Sequence, residues 1–96
     1  MVYVQASIKL HPGKLQDFIA LLNELTPVVA KHGWKLVGSY ASVIGRVNTV
    51  VDLWEVSDAN AVGALMASPE LQKYGARIAG IIEDEVLTVL TRLPIG

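Results

Sequence analysis

Asn48, Asp52 and Trp54 fall at even spacing in Gly45-Arg46-Val47-Asn48-Thr49-Val50-Val51-Asp52-Leu53-Trp54-Glu55-Val56. β-branched and aromatic residues dominate that stretch, which reads as a strand. Side chains alternate across a strand, so Arg46, Asn48, Val50, Asp52 and Trp54 share one face. A carboxylate among valines and beside a tryptophan has its proton affinity raised by lost hydration, as a general acid or base requires. Asn48 is the second candidate for managing a proton there. The competing reading makes Asp52 one half of a plain ion pair with Arg46 or Arg92. Trp54 is either a flat wall for an aromatic ligand or a core tryptophan.

Gln5 and Ser7 belong to the polar face of the first strand, expected beside the third. Buried polar groups need partners, so this cluster either satisfies itself across a dimer or binds something polar. Tyr74 lies on an apolar helical stripe and is read either as a core tyrosine or as a ring that positions a ligand. Tyr40 and Tyr3 contribute phenols to the same inventory.

Composition removes several function classes. The chain has no cysteine, which excludes disulfides, thiolate catalysis and zinc–cysteine sites. His11 and His32 stand at the two ends of one helix at a spacing that fits no metal motif, so they are expected on the surface. No Ser-His-Asp grouping, phosphate-binding glycine loop or nucleotide fingerprint is present. With a net charge of −1 and scattered lysines and arginines, nothing points to nucleic acid or an anionic membrane. Apolar residues make up 52% of the 96 positions and charged ones 18%, yet no apolar run approaches the ~20 residues of a membrane span. Burial of a second surface against another copy of the chain is the natural outlet for that excess. The start, Met-Val-Tyr-Val-Gln, lacks a basic region and alternates like a strand, so the expected location is cytoplasmic.

The elements that must position these residues follow from periodicity. Val2, Val4, Ala6, Ile8 and Leu10 alternate with Tyr3, Gln5, Ser7 and Lys9 in a first strand ended by His11-Pro12-Gly13. Leu15, Phe18, Ile19, Leu22, Leu25 and Val29 then fall at helical spacing to about His32, with Pro27 expected to kink or shorten the last turn and Gly33 to stop it. Trp34 to Val43 reads as the second strand, followed by a turn at Gly45. Ser57 or Asp58 can cap a short helix carrying Val62, Leu65 and Met66. Ser68-Pro69-Glu70 starts another, from Pro69 to Ile82, with Leu71, Tyr74, Ile78 and Ile81 or Ile82 buried. Glu85 to Leu93 is the last strand.

This order predicts a single α+β domain over residues 1–96, ferredoxin-like βαββαβ with an antiparallel four-stranded sheet. Strands one and three are central, and both helical stretches cover one face. The opposite face, expected to carry Val37, Val50, Trp54, Val86 or Leu87, and Leu90, is costly to leave in water at ~1.5–3 kcal/mol per large apolar side chain. A homodimer with sheets face to face, a dimeric α+β barrel, resolves that cost.

Gly45-x-x-Asn48-x-Val50-Val51-x-Leu53-Trp54 resembles the signature of the NIPSNAP family, small members of the dimeric α+β barrel superfamily. Gly38-Ser39-Tyr40 and Ser68-Pro69-Glu70-Leu71-x-x-Tyr74 fall where that family has comparable elements. The resemblance implies the fold and dimerisation. It reaches, in the wider superfamily, cofactor-independent monooxygenases, haem-degrading enzymes, isomerases and accessory proteins of secondary metabolism. The haem-degrading relatives need a histidine on the helix that here runs from Pro69 to Ile82, and none stands there, so no cofactor is expected.

Two functions follow. One is a homodimeric protein that binds a small apolar or aromatic metabolite in a pocket between the two sheets, an accessory to a biosynthetic pathway. The other is a cofactor-independent monooxygenase or isomerase in the same pocket, with Asp52 or Asn48 moving a proton while Trp54 and Tyr74 hold a ring. A purely structural interaction module is the third alternative.

Overall fold

The computed structural model describes residues 2–96. β1 (Val2–Leu10) leads through α1 (Leu15–Ala30) to the hairpin of β2 (Trp34–Ala41) and β3 (Thr49–Val56); α2 (Asn60–Met66), α3 (Pro69–Gln72) and α4 (Gly75–Ile81) then lead to β4 (Ile82–Thr91). The sheet order is β2-β3-β1-β4, with every neighbouring pair antiparallel. The βαββαβ order, the central pair β1–β3 and the single helical layer stand as the periodicity predicts.

The helices lie over the face that carries Val4, Ala6, Ile8 and Leu10 of β1, all of them buried. In register opposite them on β3 are Trp54, Asp52 and Val50, with Leu10 just beyond the last pair. Tyr3, Gln5 and Ser7 pair with Glu55, Leu53 and Val51 on the other face. Val50 and Trp54 therefore pack under the helices and not on the outer face, contrary to the sequence expectation. The outer face instead holds Tyr3, Val51, Leu53, Val86 and Leu90.

Local chemistry explains where element boundaries depart from expectation. β2 stops at Ala41 and β3 begins only at Thr49, because Gly45 (φ +125°) and Asn48 (φ +58°) take left-handed backbone that no strand continues. The Ser42 amide donates to the Thr49 carbonyl at 2.9 Å and closes the hairpin beneath this loop. Pro27 does not end α1. The carbonyl of Asn23, which its missing N–H would have engaged, accepts instead from the Thr26 hydroxyl at 3.2 Å. The helix expected from Pro69 to Ile82 is broken, since the Tyr74 amide turns back three residues to Leu71 and Gly75 follows. β4 starts at Ile82 directly from α4 and runs to Thr91, which pairs with Val2.

Asp58 caps the α2 segment through Ala61 N–H (3.1 Å), and Ser68 caps α3 through Leu71 N–H (3.2 Å). The histidines differ in setting. His11 lies within 3.3 Å of the Ala79 carbonyl, whereas His32 is largely buried, 3.7 Å from Glu70, rather than fully on the surface.

Gly33 reverses the chain after α1 with φ +82°, and a Cβ there would meet the Ser57 hydroxyl at 2.6 Å. Gly33→Ala should destabilise the protein by about 1–2 kcal/mol in urea unfolding. Gly63, inside α2 with nothing near its would-be Cβ, is the opposite case. Gly63→Ala should raise stability by about 0.5–1 kcal/mol in the same measurement.

Candidate functional site

Between the sheet and the helical layer lies a cavity of about 210 Å³. Ala6, Ile8, Asp52, Trp54, Glu85 and Leu87 line it from the sheet, Phe18, Leu21 and Leu25 from α1, and Leu65 and Ile78 from the later helices. It joins the two halves of the core, one around Trp34, Trp54 and Leu65 and the other around Phe18, Leu21 and Ile81. Each sheet residue reaches the cavity by parity: Ala6 pairs with Asp52 on one side and Leu87 on the other, and Ile8 pairs with Glu85.

Asp52 is 2% exposed, as buried as the apolar core around it. Among the described residues its hydrogen-bond donor is the Ser39 hydroxyl, which approaches one carboxylate oxygen closely. Ser39 is there because β2 carries a bulge. The register slips between Leu36, opposite Trp54, and Gly38, opposite Leu53, so that Ser39 lands opposite Asp52 on the helix-facing side. Gly38 leaves room for the turn of the chain, as a Cβ there would run into the Tyr40 ring and hydroxyl.

Burial pushes the Asp52 carboxyl above the ordinary carboxylate range, and the Ser39 hydrogen bond opposes that only in part. Glu85 is displaced in the same direction, first by lost hydration and then by the charge of Asp52. Among the described residues neither carboxylate has an ion-pair partner. Arg46 lies in the loop before β3 and Arg92 just beyond β4, so the ion-pair reading of Asp52 is replaced by a neutral donor.

Trp54 contributes a cavity wall and also belongs to the core. Its ring meets Trp34 edge to face, with centroids 5.7 Å apart and planes at 72°. The Trp34 indole N–H donates to the Ala61 carbonyl at 3.1 Å, tying the sheet to α2. Trp54 is thus a core tryptophan that also walls the cavity.

Other sequence candidates lie elsewhere. Asn48 sits in the loop, outside the strand, where its left-handed backbone and its carbonyl, which accepts from Leu10 N–H, account for it. Gln5 and Ser7 occupy the outer face opposite Leu53 and Val51, across the sheet from Asp52. Tyr40 also lies on that face, opposite Val51 and 60% exposed. Tyr74 is half-buried against the core cluster of Phe18 and Leu21, outside the cavity lining, in its core role. Ser39 and Glu85 were not singled out by sequence; a bulge hides the first, while the parity of Glu85 with Leu87 and Val89 was a usable signal for the second.

Because burial raises the Asp52 pKa above that of the unfolded chain, the folded state holds the proton to higher pH. The stability associated with this group is full below the unfolded pKa and is lost as pH rises through the folded one. At neutral pH the burial of this acid is therefore a cost. Asp52→Asn keeps an oxygen for Ser39 and removes that cost, so its melting temperature should exceed that of the parent at pH 7. The advantage should shrink as pH falls toward about 4, followed by circular dichroism melts across pH.

The NIPSNAP family model matches residues 3–95. Among solved structures, an uncharacterized NIPSNAP domain protein from Burkholderia xenovorans superposes with a TM-score of 0.80 at 21% identity, over 100% of this chain and 98% of its own. A protein from Agrobacterium tumefaciens gives 0.79 at 23% identity, covering 98% of this chain and 95% of that one. One from Mycobacterium tuberculosis gives 0.72 at 22%, covering 98% and 96%. No curated protein matches the chain. At these identities the solved structures speak for the fold alone, while the match over nearly the whole sequence assigns the family: this chain is a member of the NIPSNAP family.

Proposed function

We propose that this NIPSNAP protein is a cytoplasmic, homodimeric binding protein that takes a small, mostly apolar, aromatic metabolite, in an accessory role to the pathway that makes or uses it. The observation that carries this reading is Asp52, a carboxylate kept in an otherwise apolar cavity. An apolar residue of similar size would cost the fold less there, so the group is best accounted for by something polar that it receives. The side that Asp52 lines, between the sheet and the helices of one protomer, supports a pocket there and not between two sheets. An apolar cavity of about 150 Å³ accommodates benzene, so 210 Å³ suits one ring with a short substituent. No helix among the described residues is long and apolar enough to cross a membrane, and the lack of cysteine fits a reducing compartment.

A second reading keeps the same cavity but makes it catalytic, with Asp52 as the base of a cofactor-independent isomerase or monooxygenase. Its raised proton affinity favours that role. Asn48 drops out of the chemistry, since it lies in the loop.

Toluene, a neutral single ring, tests the cavity. It should raise the melting temperature of the parent in a concentration-dependent way. Leu65→Phe, which fills the space, should abolish the rise; no rise in the folded parent would remove the binding reading. Turnover of a candidate polyphenol or pyrrole that disappears in Asp52→Asn would give the catalytic reading precedence.

The dimer rests on the outer sheet face, where Val37, Tyr40 and Val86 are about half exposed or more in the single chain. Sedimentation should give a dimer at micromolar concentration. Leu53→Lys, at the middle of that face opposite Gln5, should convert it to a folded monomer. A stable monomer of the parent would contradict the dimer.

A further inference from the structure

The cavity lining is chemically lopsided. Its titratable groups among the described residues are both acids, Asp52 and Glu85, and no lysine, arginine or histidine lines it. The two carboxylates stand on the same face of the sheet, one strand to either side of β1, against Ala6 and Ile8. One Asp52 oxygen is taken by Ser39, and the described residues offer no donor to the other. Glu85 has no ion-pair partner among them. Trp54 and Phe18 also line the cavity.

We infer that the cavity selects a protonated amine on a one-ring apolar body, its ammonium group bound by Asp52 with Glu85 as the second acceptor. The assignment rests on the cavity being a ligand site, as proposed above. An anionic ligand would bring a third carboxylate against the buried Asp52 and the more exposed Glu85 at the cavity's edge, which like-charge repulsion and desolvation both oppose. A pure hydrocarbon fills the volume and leaves the free Asp52 oxygen without a donor, which carries the cost of an unsatisfied buried group. A neutral alcohol supplies one ordinary hydrogen bond. An ammonium supplies up to three donors and the opposite charge, and its bonds to carboxylate are roughly twice as strong as neutral ones. A cation seated over the Trp54 or Phe18 ring would gain further attraction. The size limit is independent of charge: 210 Å³ holds one ring and a short side chain and excludes a fused polycycle.

Three probes of nearly equal size separate these cases: 2-phenylethylamine, 2-phenylethanol and 3-phenylpropionate, titrated into the full chain by calorimetry at neutral pH. The amine should bind at least about tenfold more tightly than the alcohol, and the carboxylate should not bind measurably. Asp52→Asn should bring the amine-to-alcohol ratio close to one, and Glu85→Gln, at an accessible position that leaves the fold intact, should lower it part of the way. An alcohol that matches or exceeds the amine, a carboxylate that binds best, or an amine preference untouched by both variants would overturn the assignment. In those cases a toluene-induced rise in melting temperature would leave the ligand cavity itself standing, whereas its absence would remove both.

Discussion

The pairing of β1 with β3, from Val2 opposite Val56 to Lys9 opposite Thr49, governs everything built on this sheet. Side-chain direction in a strand has period two, so a one-residue slip would carry Asp52 and Trp54 to the outer face and bring Val51 and Leu53 beneath the helices. β1 fixes the choice because its alternation is strict: Val4, Ala6, Ile8 and Leu10 are all nearly fully buried, while Lys9 is exposed. The end of the pair is fixed as well, by the Leu10 amide donating to the Asn48 carbonyl at 2.8 Å. Asn48 can serve there because asparagine tolerates the left-handed backbone that stops β3. A residue that looked like part of a catalytic face is thus part of what sets that face in register.

On the other edge of β3 the register is deliberately offset. Without the slip between Leu36 and Gly38, Gly38 would fall opposite Asp52, and Ser39 would fall opposite Val51, pointing away from the helices. A glycine beside Asp52 has no side-chain donor to offer, so the carboxylate would lose its hydroxyl partner. The bulge therefore satisfies one oxygen of a buried acid. Compensation is incomplete, because desolvation outweighs the Ser39 bond in setting the proton affinity of Asp52. An incompletely satisfied buried acid in an apolar wall is a feature that packing alone gives no reason to keep.

Fold and site were legible to different degrees in the sequence. Periodicity located all four strands and the long helix, since the alternation of β1 and the 3.6-residue pattern of α1 are unambiguous, and Ser68-Pro69 correctly marked a helix start. The facing of β3 was harder. Its two parities, Val50-Asp52-Trp54-Val56 and Val51-Leu53-Glu55, each mix apolar and acidic residues, so the strand alone does not say which side is core. Asp52 shares its parity with Val50 and Trp54, the set expected on the outer, partner-facing side. Only its registration against Ala6, a small residue on a buried strand face, reveals otherwise. Ser39 was illegible for a sharper reason: a bulge inverts parity, and counting residues from Trp34 places it on the wrong side. Gly38 marked a close backbone approach but not the direction of the slip.

The cavity exists because the two halves of the helical layer are unequal. α1 spans 16 residues and stays continuous through Pro27, presenting Phe18, Leu21 and Val29 as a buried ridge. The remaining cover is split into helices of 7, 4 and 7 residues, too short to be stable alone, and the two longer ones are rich in glycine and alanine. Small side chains leave room over the sheet that long ones would fill. What anchors this cover is sparse and specific: Trp34 bonded to the Ala61 carbonyl, Ser68 capping α3, and Arg77 paired with Glu24 of α1 at 2.5 Å. Short helices held at a few points open at lower free energy than the strands beneath them. The space above Asp52 is therefore bounded on one side by a sheet paired along its whole length and on the other by short helices held at few points.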